Sequence, residues 1–379
     1  TGKGTESPLI THIVGARPNF PKAAPVIRAL ETAPVTQRLV HTGQHYHDAL
    51  SDSFFRDLDL PRPDVNLGVG SGTHAQQTAA LLTAIETEVS STRPALLVVY
   101  GDINSTLAAA LVASKLGIPL AHVEAGLRSF DRTMPEEINR VVTDQLSDLL
   151  FTTSPEAAEN LSREGIAEEK VHFVGNPMID TLFNHQEKFN APSALRRFGV
   201  EGEYAVATLH RPANVDDPES AAELVTALQK ASDLVHVVLP LHPRGRASLS
   251  AQGLTELENV TVIDPLGYID FLSIVSGARA VITDSGGVQE ETTVLEIPCL
   301  TLRPNTERPI TITHGTNQLV TPADLRGHLK QALDDAGRKR QSLRPPLWDG
   351  EAGSRIAGIV VSWQRAQEGV RDPMTERLI

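Results

Sequence analysis

The chain has 379 residues, of which 40% are apolar, 21% charged and 4% aromatic, with a formal net charge of −13. That length exceeds a single core and predicts two domains, while the composition is that of an ordinary globular protein. Acidity and scarce aromatics exclude the basic footprint and stacking platform of a nucleic-acid binder, but leave room for an anionic small molecule gripped by local arginines and helix ends.

The opening stretch TGKGTESP is polar and lacks an apolar signal core, and no later run approaches membrane-spanning length. The single Cys299 cannot form an internal disulfide and fits a reducing compartment. A cytoplasmic chain without membrane or nucleic-acid partners is expected.

In chain order, apolar runs of strand length occur at residues 9–14 (LITHIV), 96–100 (LLVVY), 117–120 (GIPL), 148–153 (DLLFTT), 204–209 (YAVATL), 235–241 (VHVVLPL), 279–283 (RAVIT) and 298–302 (PCLTL). Amphipathic stretches such as KAAPVIRALE (22–31) and STLAAALVASKLG (105–117) lie between them. Strands apolar on both faces that alternate with helices predict parallel sheets in an α/β architecture. The polar stretch 184–203 interrupts the alternation and is the candidate domain boundary. Near the end, Ile356, Ile359, Val360 and Trp363 carry helical spacing.

Polar clusters follow the carboxyl ends of six apolar runs: GARPNFPK, GDINST, HVEAGLR, HRPAN, DSGG and LRPNTERP. Ligands of open parallel sheets bind outside those strand ends, so two such domains facing a cleft are expected to share one site. In the first cluster, Pro21 suits the first turn of a helix and Lys22 falls in the same turn, where the helix dipole disfavours a cation unless an anion compensates. Arg17 precedes it by five residues, and Arg303 and Arg308 add cations from the second half. In DSGGVQEE, Gly286 and Gly287 allow an anion to approach a helix start, with Ser285 as a hydroxyl donor; a plain helix cap fits the same residues.

The block HVEAGLRSFDRTMPEEINR (122–140) raises the opposite question, why so many acids gather at a strand end. Thr133 and Glu136 form T-x-x-E, which reads locally as a capping box, with Ile138, Val141, Val142, Leu146 and Leu149 as the buried face beyond. That reading leaves Glu124, Arg128 and Asp102 unexplained, because carboxylates at adjacent strand ends repel one another unless cations or a reaction require them. His210 joins from the second half, with Arg211 and Asn214 behind it. His41, His45 and His47 cluster without a metal-binding spacing, so no metal is expected.

These blocks, together with TGQHYHDAL and YGDINSTLAAALVASK, resemble the non-hydrolysing UDP-N-acetylglucosamine 2-epimerases over about residues 9–330. The resemblance implies a GT-B-like fold: Rossmann-like domains over 1–185 and 186–355, the second binding UDP, and a C-terminal helix at 356–379 crossing back to the first. It implies a homodimer acting on a UDP-sugar without cofactor, in a polysaccharide biosynthetic setting. Carried over residue by residue, the catalytic groups are Asp102, Glu124, Glu136 and His210. The substrate-binding groups are Arg17, Lys22, Arg140, Phe271, Ser285, Gly286, Gly287, Glu291 and Arg308. Departures are Asn19 and Pro21 in the first motif, and NLGVGSGTHAQQT, which lacks the arginine of members activated by UDP-GlcNAc.

The implied reaction inverts C2 of UDP-GlcNAc to give UDP-ManNAc. The C2 hydrogen is not acidic until the anomeric C–O bond breaks, so cations at the leaving UDP and a carboxylate base must act together. Anti-elimination to a 2-acetamidoglucal and syn re-addition of UDP complete the inversion. A hydrolysing 2-epimerase, an epimerase of another UDP-hexosamine such as a diacetamido uronic acid, a GT-B glycosyltransferase and a nucleotide-sugar sensor remain alternatives.

Overall fold

The structure is a computed structural model and describes residues 7–44, 48–335 and 343–370. The chain divides into two compact units, one running to Phe183 and resuming at Pro346, the other spanning Asn184–Pro345. Each is an all-parallel α/β sheet, as the buried apolar runs predict.

The first unit holds β1 (Leu9–Val14), β2 (Thr36–His41), β3 (Val65–Asn66), β4 (Leu96–Tyr100), β5 (Leu120–Ala125), β6 (Leu149–Thr152) and β7 (Val171–Phe173), in the order β3-β2-β1-β4-β5-β6-β7. The second holds β8 (Tyr204–Thr208), β9 (His236–Pro240), β10 (Val260–Ile263), β11 (Val281–Thr283), β12 (Cys299–Thr301) and β13 (Asn317–Leu319), in the order β10-β9-β8-β11-β12-β13. Helices cover the sheets because the central strands have no polar face: every residue of β4 is buried. Leu97 and Val99 pack with Leu81, Ile85 and Val89 and with the alanines of α2 (Asn104–Leu116). In the second unit Val237, Leu239, Ile282 and Leu300 pack with Leu224 and Leu228.

Two helices at opposite ends of the sequence meet in the first unit. In α1 (Phe20–Leu30), the carbonyl of Pro25 lies so close to Gly353 that a Cβ there would meet its oxygen at 2.6 Å. Gly353 starts the C-terminal helix (Ala352–Val370), whose Ala352 and Gly353 amides donate to Asp180 at 3.2 and 2.7 Å. Ile356 and Val360 are buried while Ile359 and Trp363 are half-buried, so the helical spacing read from the sequence marks the inward face only in part. The return of the chain's end to the first unit accords with the expected fold.

Both sheets reverse their winding at equivalent places, between β1 and β4 and between β8 and β11. Such switch points open a crevice at the carboxyl ends of the strands, where backbone N–H groups and loops are free to meet a ligand. The segments after β1, β4, β8 and β11 are GARPN, GDINS, LHRPA and DSGG. Fold and chemistry therefore coincide in each unit.

One boundary differs from the sequence reading. The strand expected to stop at Leu120 starts there and extends to Ala125, so Glu124 lies within β5 and not beyond it. The alternation His122, Glu124 was masked by their charge, since buried ionisable residues do not look like strand. Glu124 takes φ +75, a conformation that costs an L residue about 1–3 kcal/mol and survives only where neighbours enforce it. A register shift between Val123 and Ala125 accompanies it.

Candidate active site

In the first unit the turn after β1 is tied down by Asn19. Its Oδ1 accepts the Gly15 and Ala16 amides at 3.0 and 3.4 Å, and its Nδ2 donates to the Tyr100 carbonyl at 3.0 Å. The Asn19 departure thus bridges the ends of β1 and β4, and Pro21 takes a first-turn position of α1, where no amide hydrogen is needed. Lys22, in that turn, is buried and donates from Nζ to Glu124 Oε1 at 2.7 Å. The Gly101 backbone lies against them, a Cβ there falling 3.0 Å from Lys22 Nζ and 3.6 Å from Glu124 Oε1. Arg17 is half-buried with its guanidinium over the Phe54 ring at 5.9 Å. It has no ion pair among the described residues, and burial lowers its pKa from the ordinary arginine value. A cation in that state favours an anionic ligand.

Asp102 follows β4 and is held from α3 (Pro135–Leu146). Arg140 Nη1 donates to Asp102 Oδ2 at 2.5 Å, while Asn139 Nδ2 donates to the Asp102 carbonyl at 2.8 Å. Glu137 braces Arg140 through Oε2 at 2.6 Å and accepts the amides of Ser129 and Phe130 at 3.0 and 2.9 Å. The expected capping box is absent: Met134 occupies the cap and makes no side-chain capping bond to the helix start, and Thr133 donates to Asp131. The expected apolar face is also corrected. Ile138, Val141, Val142 and Leu146 are half-buried, Leu149 belongs to β6, and the buried face is Glu137, Asn139, Arg140, Thr143 and Asp144. Glu136 sits half-buried in the first turn, with no hydrogen-bond or ion-pair partner among the described residues.

Beneath these groups lies a network that the sequence did not disclose. His122 faces two acceptors, Asp144 Oδ1 at 2.6 Å through Nδ1 and the Gly101 carbonyl at 2.7 Å through Nε2. Asp144 Oδ2 accepts the Gly126 amide at 3.0 Å and meets Arg128 at 2.8 Å, and Arg128 forks onto Glu164 at 2.8 and 2.7 Å. Burial opposes ionisation of Asp144, but His122 and Arg128 outweigh it and hold its carboxyl below the usual range. The network fixes Gly101 and Gly126, the neighbours of Asp102 and near-neighbours of Glu124. Polar residues at i, i+3 and i+7 (Glu137, Arg140, Asp144) are the signal that could have found it, had a polar stripe been read as the inward face.

The second unit builds a different constellation. Asp284, fully buried after β11, accepts from the His210 and Arg211 amides at about 3 Å and from Asn214 Nδ2 at 3.0 Å. Ser285 is the cap residue of α4 (Gly286–Leu295), but its side chain makes no capping bond, so the first-turn amides at Gly286 and Gly287 lack that partner. Gly286 lies against Arg308: a Cβ would meet Nη1 at 2.4 Å. Arg308 pairs with Glu307 and, through Nε, with Glu290 at 2.9 Å, while Arg303 shares Glu307 at 2.6 Å. Glu291 is buried in the same helix; burial first, and then Glu290, push its pKa up to about 8. Tyr268, at the start of the helix that carries half-buried Phe271, is likewise pushed up by burial and by Glu291. In each unit the segments after the switch-point strands carry expected residues, Arg17, Lys22 and Asp102 in the first and His210, Ser285, Gly286 and Gly287 in the second.

Among the described residues no cluster has the makeup of a metal site, and no helix is long and apolar enough to cross a membrane. His45 and His47 lie outside the described residues.

Residues 28–361 match the family described as UDP-N-acetylglucosamine 2-epimerase. The chain belongs to that family. A UDP-N-acetylglucosamine 2-epimerase of Methanocaldococcus jannaschii is 41% identical over 358 residues, covering 92% of this chain and 97% of the relative. A UDP-2,3-diacetamido-2,3-dideoxy-D-glucuronate 2-epimerase of Pseudomonas aeruginosa is 42% identical over 353 residues, covering 92% of this chain and 98% of the relative. Among solved structures, the Methanocaldococcus jannaschii UDP-GlcNAc 2-epimerase in complex with UDP-GlcNAc and UDP superposes with a TM-score of 0.85 at 40% identity, covering 93% of this chain and 99% of that one. The family's GT-B-like pair of parallel-sheet domains is the fold of this chain.

Proposed function

We propose that the protein interconverts UDP-GlcNAc and UDP-ManNAc by non-hydrolytic epimerisation at C2. The observation that carries the reading is the pairing of each strand-end carboxylate with a buried cation, Glu124 with Lys22 and Asp102 with Arg140. Each pairing sets a carboxylate, a group able to take and return a proton, beside a charge that offsets its own.

In the first half-reaction the C1–O bond to UDP breaks and the C2 proton passes to a carboxylate, leaving a 2-acetamidoglucal with a C1–C2 double bond. In the second, a proton reaches the other face of C2 and the UDP oxygen re-forms the bond to C1. Asp102, Glu124 and Glu136 are the acid/base groups of this scheme, with Arg17, Lys22 and Arg140 setting charge around them. The uncapped start of α4 and Arg308 receive the diphosphate, where charge grows as UDP leaves. His210 acts on the same substrate, Phe271 lies beside the uracil, and Glu291, neutral at pH 7, donates to the ribose hydroxyls. The scheme uses no cofactor. A cytoplasmic homodimer is part of the same reading.

A second substrate is favoured by one observation: the diacetamido-glucuronate 2-epimerase is as similar to this chain as the UDP-GlcNAc 2-epimerase is. Each nucleotide sugar is incubated separately and followed by proton NMR. UDP-ManNAc forming with the UDP bond intact supports the proposal. Free ManNAc with UDP points to the hydrolysing enzyme, and turnover of the uronate alone moves the substrate.

A further inference from the structure

We propose that Asp284 is a positioning residue for His210: it holds the Nδ1 edge of the imidazole and presents Nε2 to the substrate. The inference rests on the reading above, in which His210 belongs to the reacting site.

The pair follows from the sheet. Thr208 and Thr283 are register partners at the ends of β8 and β11, with hydroxyls 2.6 Å apart. The chains then diverge, so that Asp284, one residue past its strand, reaches His210, two residues past the other. Its carboxylate accepts the His210 and Arg211 amides and the Asn214 side chain, and Oδ1 lies 3.0 Å from His210 Nδ1. The carboxylate is fully buried, whereas the His210 side chain is 60% exposed. Nε2 has no hydrogen-bond partner among the described residues.

Two features separate this from a simple loop staple. A staple needs only the backbone amides and Asn214; it does not need the ring. And a buried carboxylate aimed at one ring nitrogen dictates the neutral tautomer, because Asp284 can only accept: Nδ1 carries the hydrogen and Nε2 the lone pair. When Nε2 takes a proton, the same carboxylate stabilises the imidazolium that results. Burial resists ionisation of Asp284, but His210, Arg211 and Asn214 outweigh it and keep its pKa below the usual carboxylate range. Arg211 donates from Nε to the Asp284 carbonyl at 2.9 Å.

The test begins on the whole unmodified protein. Nitrogen-15 NMR of the His210 ring reads the tautomer directly and needs no turnover. Nδ1–H is expected; Nε2–H overturns the proposal. The variants Asp284→Asn and Asp284→Glu are then compared with His210→Asn and with the double variant. Asp284→Asn is expected to lower the His210 pKa by about one unit and kcat by about tenfold or more, with KM changed far less. Asp284→Glu should recover part of the rate, and the double variant should be no worse than His210→Asn alone. An unshifted His210 pKa, or fully additive losses, overturns the assignment. If the natural protein epimerises nothing while the ring shows the expected tautomer and pKa shift, the functional reading fails and the Asp284–His210 coupling stands.

Discussion

The two units share a winding order and a switch point, yet they fill it with opposite electrostatics. At the first, Glu124 is paired with Lys22 and Asp102 with Arg140, which Glu137 also braces, and a deeper layer of His122, Asp144 and Arg128 holds the backbone beside them. At the second, arginines and glutamates form a shared cluster behind a glycine helix start, and Glu291 is driven toward its neutral form. The first arrangement suits groups that exchange protons, the second a surface that receives an anion. On the proposed reading one fold supports a half that carries the carboxylates and a half that grips the diphosphate and supplies His210, and the difference lies in the residues placed after the strands, not in the sheets.

The sharpest way to break this comparison is to remove a proton-transfer group from the first unit. Glu124→Gln keeps shape and hydrogen bonding but cannot take a proton, so kcat should fall by about 10²–10⁴ with KM little changed. A loss confined to KM would move Glu124 from chemistry to binding.

Next comes the pairing itself. Lys22 and Glu124 are both buried, so Lys22→Met leaves a carboxylate without its cation and should cost about 3–5 kcal/mol in urea unfolding. Adding Glu124→Gln should restore much of that loss. A cost below about 1 kcal/mol for Lys22→Met would show that the pair behaves like a solvated one.

The second unit is probed by pH. Glu291 has a folded pKa raised from 4.5 to about 8, so the folded state holds a proton that the unfolded chain releases. Its contribution to stability is fully present below 4.5 and is lost as pH rises through about 8. Between those limits the folded-to-unfolded ratio should fall about tenfold per pH unit on account of this group, a slope absent in Glu291→Gln. Equal slopes in the two proteins would mean that Glu291 is already ionised at neutral pH.

Much of this was legible in the sequence because parallel strands buried on both faces leave continuous apolar runs. LLVVY and YAVATL needed no further context. The short edge strands β3, β7 and β13 have two or three residues each, too few for a periodic signal. Asp102, Glu124 and Lys22 stood out because charged groups behind buried strands are costly unless used, whereas Arg140, Phe271 and Glu291 came only from the family resemblance. Their supports were not legible. His122, Asp144 and Asp284 act by touching residues far away in sequence, and a local polar stripe can mark an inward face without naming such partners. The helix Pro135–Leu146 shows the limit most clearly: its apolar residues suggested one inward face, while the structure buries the polar one, because Arg140 and Asp144 are satisfied by partners from β4, β5 and their loops.

In the proposed reaction, carboxylates of the first unit move a proton at C2 while UDP departs and returns. Turnover of UDP-GlcNAc in deuterium oxide, followed by NMR of both nucleotide sugars, tests it most directly. Deuterium is expected to enter C2 of the UDP-ManNAc formed and then of the recovered UDP-GlcNAc, with the UDP linkage retained. Epimerised product that keeps its original C2 hydrogen would contradict it.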